Sequence, residues 1–399
     1  MTIGIFNTSQ LTTDLAKKSF PGMITRLMPN GNAPLFALTS YLESETAVQV
    51  EHGFFTKTIV FPSVVLAVAV ANATDNVFTV VSTANILPNM ILESDSTREQ
   101  LIVDAVLSDT SIRVTRGAGV VAAAAINNSV ALFQVGNASE ESSLRPNALV
   151  INPVRVTNLT QIIRNTWAVS GTMRATMVIA GDTNVTESKQ DCAALHAADI
   201  EKALFFGQKS QGTRNGQPFR KMDGIISLVS QLSPSQLTVA GATTTFAQFE
   251  AAVDPCFNQV TDPKAGNERI LFVGGTARKV INNMGKLSGV VQIMDGQTSF
   301  GMQFSSFKTA RGTFRMIEHP IFNSNTSWSK MAVAVDLSSF RVAYLGDRKT
   351  QNEEFNGPAT GDASENGIDA VGGTLTTELT AVLKNPSANS VITNLTAAA

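Results

Sequence analysis

The sequence predicts an α+β protein of more than one domain, and three stretches carry that prediction. Asn184 to Gly207 reads as one long helix, residues 64–135 as six short strands, and Arg269 to Met284 as a strand, a Gly-Gly turn and a helix. With 399 residues the chain is too long for a single compact core.

Residues 1–50 read as an arm with little core of its own. One short amphipathic piece spans Gln10–Lys18, and a second follows Pro34, with Leu35, Leu38 and Leu42 on one side. The Pro/Gly/Asn-rich link Pro29–Pro34 between them is turn material, and the arm is expected to pack on a neighbour. Strands begin with Thr56–Pro62. Six short apolar or alternating runs follow, at 64–70, 77–81, 88–93, 99–107, 111–116 and 130–135, separated by Asn/Asp/Ser/Gly clusters. That spacing predicts an inserted small barrel or sandwich, with the interrupted element resuming near Gly136. Ile112 and Val114 should face inward, with Arg113 and Arg116 in water, or Arg113 and Thr115 if alternation is strict. The block carries six acids and three bases.

A polar turn at 137–146, holding the solvated pair Glu140-Glu141, leads to strands at 148–157 and 159–170. The long helix then starts at Asn184, where Glu187 completes a capping-box pattern, and meets no Gly or Pro before Gly207. Ala193, Ala197, Ile200 and Leu204 form the expected core stripe, on a helix about 30–35 Å long. Residues 208–220 read as an exposed, Gly-rich crossover; it lacks the GxxxxGK spacing of a phosphate cradle.

In the second half, Met222–Val229 starts a strand or helix, and Thr245–Val260 is a helix that kinks or restarts at Pro255. Its core face is Phe246, Phe249, Val253, Phe257 and Val260. Arg269–Val273, Gly274-Gly275 and Thr276–Met284 resemble half a dinucleotide site, but the third glycine and the downstream acid are missing, so a tight turn is expected. Strands follow at Thr313–Phe322, Lys330–Asp336 and Ser339–Leu345, around a polar turn holding Trp328. Residues 351–373 carry five acids, five glycines and no base, and read as an exposed tip. Thr374–Leu383 is a strand, and the fold ends beyond Lys384.

Composition narrows the function. Thirty Lys and Arg against 32 Asp and Glu argue against a dedicated nucleic-acid binder. A charged fraction of only 16% suits a surface buried against other copies of the chain. Cys192 and Cys256, without CxxC spacing, are expected to be buried free thiols, consistent with synthesis in a reducing compartment. No signal peptide is expected, and no apolar run is long enough to span a membrane. The imidazoles are His52, His196 and His319, and none lies in a GxSxG elbow or an HExxH helix. His196 and Asp199 are one turn apart, but two ligands do not make a metal site, and a hydrogen-bonded helix face is the better reading. Glu318-His319-Pro320 reads as a buried hydrogen bond. No catalytic, cofactor-binding or metal-ligating residue is assigned, and the chain is not read as an enzyme.

The order of parts resembles the major capsid proteins of tailed bacteriophages, whose fold is named after phage Hong Kong 97, and within them the group with a β-rich insertion in the extended loop. The resemblance spans essentially the whole chain. It is carried by Glu140-Glu141-Ser-Ser, Asn158-Leu-Thr-Gln-Ile-Ile-Arg, Val169-Ser-Gly-Thr and Glu201-Lys-Ala-Leu-Phe-Phe-Gly207. Arg220-Lys-Met-Asp-Gly-Ile, Ile317-Glu-His-Pro and the run from Glu378 to Lys384-Asn-Pro-Ser-Ala388 extend it. It implies an N-terminal arm at 1–50, an extended loop at 51–157, a peripheral domain with the spine helix at 158–220, an axial domain at 221–312 and return strands at 313–399. It further implies hexamers and pentamers closing an icosahedral shell around double-stranded DNA, assembled in a bacterial host cytoplasm and located in the virion. Implied partners are a separate scaffolding protein, a portal, a cement protein and DNA contacted without sequence specificity. Some relatives cross-link Lys to Asn; Lys57 and Asn352, Asn356 or Asn366 are of the right type, but no spacing selects a pair. The rival reading is a multidomain β-rich tail protein or surface adhesin, against which the long Ala-rich helix and the single late αβ domain count.

Overall fold

A computed structural model describes residues 33–57, 61–141, 148, 152–176, 184–259, 267–288, 294–299, 302–356 and 370–398. The Gln10–Lys18 piece therefore lies outside the described residues, as does Val260. Two compact units are present, one formed by Phe55–Arg155 and the other by the rest of the chain.

The first described elements are helix α1 (Pro34–Thr39) and strands β1 (Glu45–Ala47) and β2 (Glu51–Thr56). Leu35 and Leu38 are buried in the chain's own main core, so this part of the expected arm packs within its own subunit. Of the strand expected at Thr56–Pro62, Thr56 ends β2, and residues 58–60 lie outside the described residues. Gly53 is needed there, since a Cβ would sit 2.4 Å from the Val156 carbonyl oxygen.

The Phe55–Arg155 unit is a barrel. Strands β3 (Ser63–Val65), β4 (Val77–Thr79), β5 (Met90–Ser94), β6 (Gln100–Ser108), β7 (Ser111–Thr115) and β8 (Ala131–Asn137) pair in the order β3-β8-β5-β6-β7-β4. The two ends of that order meet, because Val81 N–H donates to Val65 O and Ala67 N–H to Thr79 O, both at 2.9 Å. Closure satisfies the backbone groups that an open edge would leave unpaired. Alternation fills the interior with Val64, Leu66, Phe78, Leu92, Val103, Ile112, Val114 and Leu132. Arg113 and Thr115 point to solvent, as strict alternation requires. Arg116 does not face water: its side chain is buried against Glu99, with Nη2 2.6 Å from Glu99 Oε2 and Nε 3.0 Å from Oε1.

In the larger unit, β9 (Val154–Leu159) pairs with β2, and β10 (Gln161–Ser170) runs into a short helix, α2 (Gly171–Ala175), where a strand end was expected. The long helix α3 covers Asn184–Phe206 and stops at Gly207, whose Cβ would meet Met222 O at 2.6 Å. Its buried stripe is Cys192, His196, Ile200 and Leu204, with Glu201 and Phe205 beside it. Ala193 is exposed and Ala197 half-buried, so the expected stripe holds at Ile200 and Leu204 but is off by one residue in the first half. The crossover expected at 208–220 is a regular hairpin of β11 (Ser210–Arg214) and β12 (Gln217–Lys221). Asn215 and Gly216 turn it with φ of 51° and 74°, as a type I′ hairpin requires.

Helix α4 (Ile225–Leu232) resolves the strand-or-helix choice at 222–229, and β13 (Leu237–Val239) follows. Helix α5 (Phe246–Val253) opens with a capping box of Thr245 and Gln248 and gives way to a 3-10 turn at Asp254–Phe257, where Pro255 cannot donate. Then come β14 (Glu268–Val273), α6 (Gly275–Ser288), β15 (Met294–Ser299), β16 (Met302–Lys308) and β17 (Thr313–Glu318). The last elements are β18 (Ala332–Val335), β19 (Phe340–Leu345), β20 (Gln351–Asn356), β21 (Ala370–Leu383) and β22 (Ser390–Thr393). β20 and the first residues of β21 occupy the two ends of the segment expected to be an exposed tip, whose middle, 357–369, lies outside the described residues, and β22 lies in the closing stretch beyond Lys384.

Two sheets organise this unit. One runs β13-β22-β18-β14-β17-β16-β15; in the other β21 pairs along its length with β10, and on its opposite side with β19 and then β20. Alternation along β14 sends Phe272 to one core and Leu271 and Val273 to the other. The first core holds α1, the end of α3, α4 and the second sheet; the other holds α5 and α6. A strand covered on both faces needs apolar residues at every position, and β18 (Ala-Val-Ala-Val) is buried throughout.

Candidate functional site

The conspicuous chemistry of the larger unit is a buried polar hub at the C-terminal half of α3. Glu201 is fully buried beside His319, whose ring packs against Phe205, Phe272 and Phe322, and an unpaired carboxylate there would be strongly unfavourable. It accepts the backbone N–H groups of Leu35 (2.8 Å) and Phe36 (2.7 Å) from the first turn of α1. Its third donor is His319 Nε2 at 2.7 Å. Ile321 N–H donates to His319 Nδ1 at 3.2 Å, so Nδ1 is the acceptor and Nε2 holds the proton that points at Glu201. The His319 ring stacks on Phe322 at 4.6 Å and meets Phe205 edge-on at 5.0 Å.

Two further knots close around the same helix end. Asn158 Nδ2 donates to Asp223 O (3.0 Å) and Ala381 O (2.9 Å), while its Oδ1 accepts from Asp223 N–H at 2.8 Å. Asp223 Oδ1 in turn accepts from Lys209 N–H at 2.8 Å and Ser227 Oγ at 2.6 Å. Thr160 Oγ1 donates to buried Glu378 at 2.9 Å, and Arg348 reaches the other Glu378 oxygen at 3.1 Å. These residues come from segments far apart in sequence, and the geometry is that of a fastener: among the described residues, none of their buried side-chain nitrogen or oxygen atoms lacks a hydrogen-bond partner.

His196 is buried higher on the helix. Its Nδ1 donates to Asn165 Oδ1 at 2.6 Å, and Nε2 and Thr377 Oγ1 share a hydrogen bond at 2.7 Å. Burial pushes its pKa below the usual histidine value, and the Asp199 charge offsets that only in part. Asp199 accepts from Asn165 Nδ2 at 3.0 Å. Among the described residues no three His, Cys, Asp or Glu side chains converge as a metal site would require. Cys192 and Cys256 are buried and unpaired, and burial pushes the Cys256 thiol up to about 12. Glu140 and Glu141 are exposed. Lys57 and Asn352 are both exposed, and Asn366 lies outside the described residues.

At the Gly-Gly turn, a Cβ on Gly274 would lie 2.4 Å from Ser329 O, so glycine serves close backbone approach. The Gly275 N–H, where a phosphate would sit in a dinucleotide site, donates to Asn323 Oδ1 at 2.6 Å. No helix among the described residues is long and apolar enough to cross a membrane.

Comparison with known proteins matches residues 5–396 to the family model described as SU10 major capsid protein. The chain is 37% identical, over 403 residues, to the major capsid protein of Pseudomonas phage PaMx41, covering 98% of this chain and 96% of that one. Its structure resembles that of a chain from Microbacterium phage Oxtober96, with a TM-score of 0.50, 9% identity, and coverage of 99% and 100% of the two chains.

Proposed function

This chain belongs to the SU10 major capsid protein family, and from that premise we propose that its copies assemble as hexamers and pentamers into an icosahedral head around double-stranded DNA. It is a structural shell protein of the HK97-like fold, located in the virion capsid. The observation that carries the finer reading is the family match from residue 5 to residue 396, which leaves neither unit of the chain outside the comparison.

The parts take roles within that reading. Residues 1–50 act as the arm, 51–157 as the extended loop carrying the barrel, and 158–220 as the peripheral domain built on α3. Residues 221–312 act as the axial domain and 313–399 as the return strands. Assembly proceeds in the host cytoplasm with a separate scaffolding protein, at a portal. DNA is contacted without sequence specificity, which suits near-neutral overall charge because weak phosphate contacts let DNA enter and leave. The hub is structural in this reading: it holds α1, and with it the exit of the arm, against α3.

Negative-stain microscopy of the chain expressed with its scaffolding partner is the test. Closed shells of uniform diameter, or ring-shaped capsomers, are the expected result. Monomers alone across protein and salt concentrations would overturn it.

A further inference from the structure

The near-neutral total charge conceals one local excess, just where α3 ends. Residues 202–222 hold five bases, Lys202, Lys209, Arg214, Arg220 and Lys221, and no acid. The flanking acids, Glu201 and Asp223, are buried and bonded within the subunit. Lys202 pairs with Asp199, and Lys209 Nζ donates to Thr157 O at 3.0 Å. Arg214, Arg220 and Lys221 make no ion pair among the described residues.

All three lie on the β11–β12 hairpin, whose strands are exposed along nearly their whole length. Directly paired residues share a face, so the register Arg214↔Gln217, Gly212↔Phe219 and Ser210↔Lys221 puts Arg214 and Lys221 on one side, with Phe219 between them. Gln211↔Arg220 puts Arg220 on the other side. A two-stranded ribbon is narrow enough for the major groove of B-DNA, about 12 Å wide, and long cations leaving both its faces can reach the phosphates beside it. The ribbon is also preformed. Asn215 and Gly216 supply the turn its twist requires, and Gly224 N–H donates to Gly207 O at 3.0 Å at its base. Little ordering is left to be done on binding.

A second copy of the chain offers these cations a weaker counterpart. Glu45, Glu93, Glu268, Glu318, Glu354 and Asp199 already pair with bases of their own subunit. Duplex DNA carries one negative charge per about 1.7 Å of its axis.

We propose that the β11–β12 hairpin carries this chain's contact with duplex DNA, holding phosphates through Arg214, Arg220 and Lys221 without reading sequence. The proposal rests on the capsid reading above and assigns residues to the DNA contact stated there. Three phosphate contacts give log K a slope of about −2.7 against log salt, a loss of about 40-fold between 50 and 200 mM. So few contacts per copy leave DNA free to move, while many copies facing one duplex add avidity.

The test is binding of a short mixed-sequence duplex to the full chain, followed by fluorescence anisotropy across that salt range. Wild type should show the stated slope, equally on duplexes of unrelated sequence. Arg214→Gln/Arg220→Gln/Lys221→Gln should keep wild-type circular dichroism and shell assembly, lose most of the salt dependence, and bind at least about tenfold more weakly at the lowest salt. Arg214→Gln alone, at the exposed turn, should lower the slope by about one and guards against a folding defect in the triple variant. Lys286→Gln removes an exposed base from α6 and should change nothing; a loss equal to that of Arg214→Gln would mean diffuse surface charge and overturn the assignment. Unchanged duplex affinity in the triple variant would overturn it too. If that variant bound duplex normally but no longer assembled, the hairpin would be a subunit contact instead. Tighter binding of a single strand of the same length would refute the duplex as partner. Wild-type chain that binds duplex through the hairpin yet forms no shells would uphold the contact and sink the capsid reading, so the two failures are distinct.

Discussion

Replacing Glu99 with alanine is expected to open the barrel. Glu99 is fully buried, and its carboxylate takes Arg116 Nε (3.0 Å) and Nη2 (2.6 Å), Gly117 N–H (3.1 Å) and Ala124 N–H (3.3 Å). Arg116 lies over the Phe78 ring at 5.3 Å and donates through Nη1 to Asn72 O at 2.8 Å. One carboxylate and one guanidinium thus tie the segments at Asn72, β7 and Ala124 to the start of β6. Alanine would leave a buried guanidinium without its counter-charge, a defect of about 3–5 kcal/mol. A domain commonly has only about 5–15 kcal/mol in total. For a unit of about 100 residues each kcal/mol lowers Tm by about 4–8 °C, so the barrel's transition should fall by at least about 12 °C. The assay is calorimetry of the whole chain beside hydrogen exchange of peptides covering β6 and β7. Asp104→Asn is the control, since Asp104 bonds Thr115 in solvent at 2.9 Å and its loss should cost no more than about 0.5 kcal/mol. A Glu99→Ala chain whose β6 and β7 peptides exchange as slowly as wild type would refute the reasoning.

The same pair sets a pH dependence. Burial alone would raise the Glu99 pKa, but bonds from Arg116, Ala124 and Gly117 outweigh it and hold the carboxyl below its ordinary value. The contribution is therefore complete above the ordinary carboxylate range and is lost as pH falls through the depressed folded value. Measured down an acid series, barrel exchange should rise more in wild type than in Glu99→Gln once each is referred to its neutral-pH value, because only wild type has a Glu99 contribution to lose; parallel curves would contradict this. Ile200→Asp, at a fully buried position of α3, should cost several kcal/mol, read as lost soluble subunit or a lower Tm. Glu201→Ala should release α1, so that limited proteolysis cuts near Pro34–Thr39 in the variant before wild type. Gly224→Ala should destabilise by about 1–3 kcal/mol, because its Cβ would meet backbone atoms of Phe205 and Gly207 that cannot move alone; denaturant midpoints measure it.

Elements written in one uninterrupted stretch were legible in the sequence. Nothing between Asn184 and Phe206 breaks a helix, and α3 spans those residues. The short runs between 64 and 135 alternate, and the barrel strands lie on them. Closure was not legible, because the β3–β4 contact depends on two short strands meeting around the barrel. The β11–β12 hairpin had its signal in Asn215-Gly216, but its polar strands lack the alternation that marks a half-buried strand. Arg116 was misplaced because it lies one residue past β7, where alternation no longer applies, and its partner is 17 residues away. The hub was illegible as a unit. Glu201 and His319 are 118 positions apart and Asn158 and Ala381 are 223 apart, so each reads alone as an ordinary polar residue.

Why the hub is polar at all follows from what each kind of contact specifies. Leu35 and Leu38 supply the apolar attachment of α1, but dispersion and hydrophobic burial are non-directional and tolerate rotation or slippage of a six-residue helix. Two consecutive N–H groups on the two oxygens of one carboxylate do not tolerate it. A shift of α1 by one residue would put the proline nitrogen of Pro34, which has no proton, in place of a donor. The buried carboxylate would then lack a partner, at the cost that makes such charges rare. His319 supplies the third bond from the loop after β17, so the position of α1 is tied to the end of that strand as well as to α3. In a shell protein this fixes the placement of α1 more tightly than apolar contact alone would.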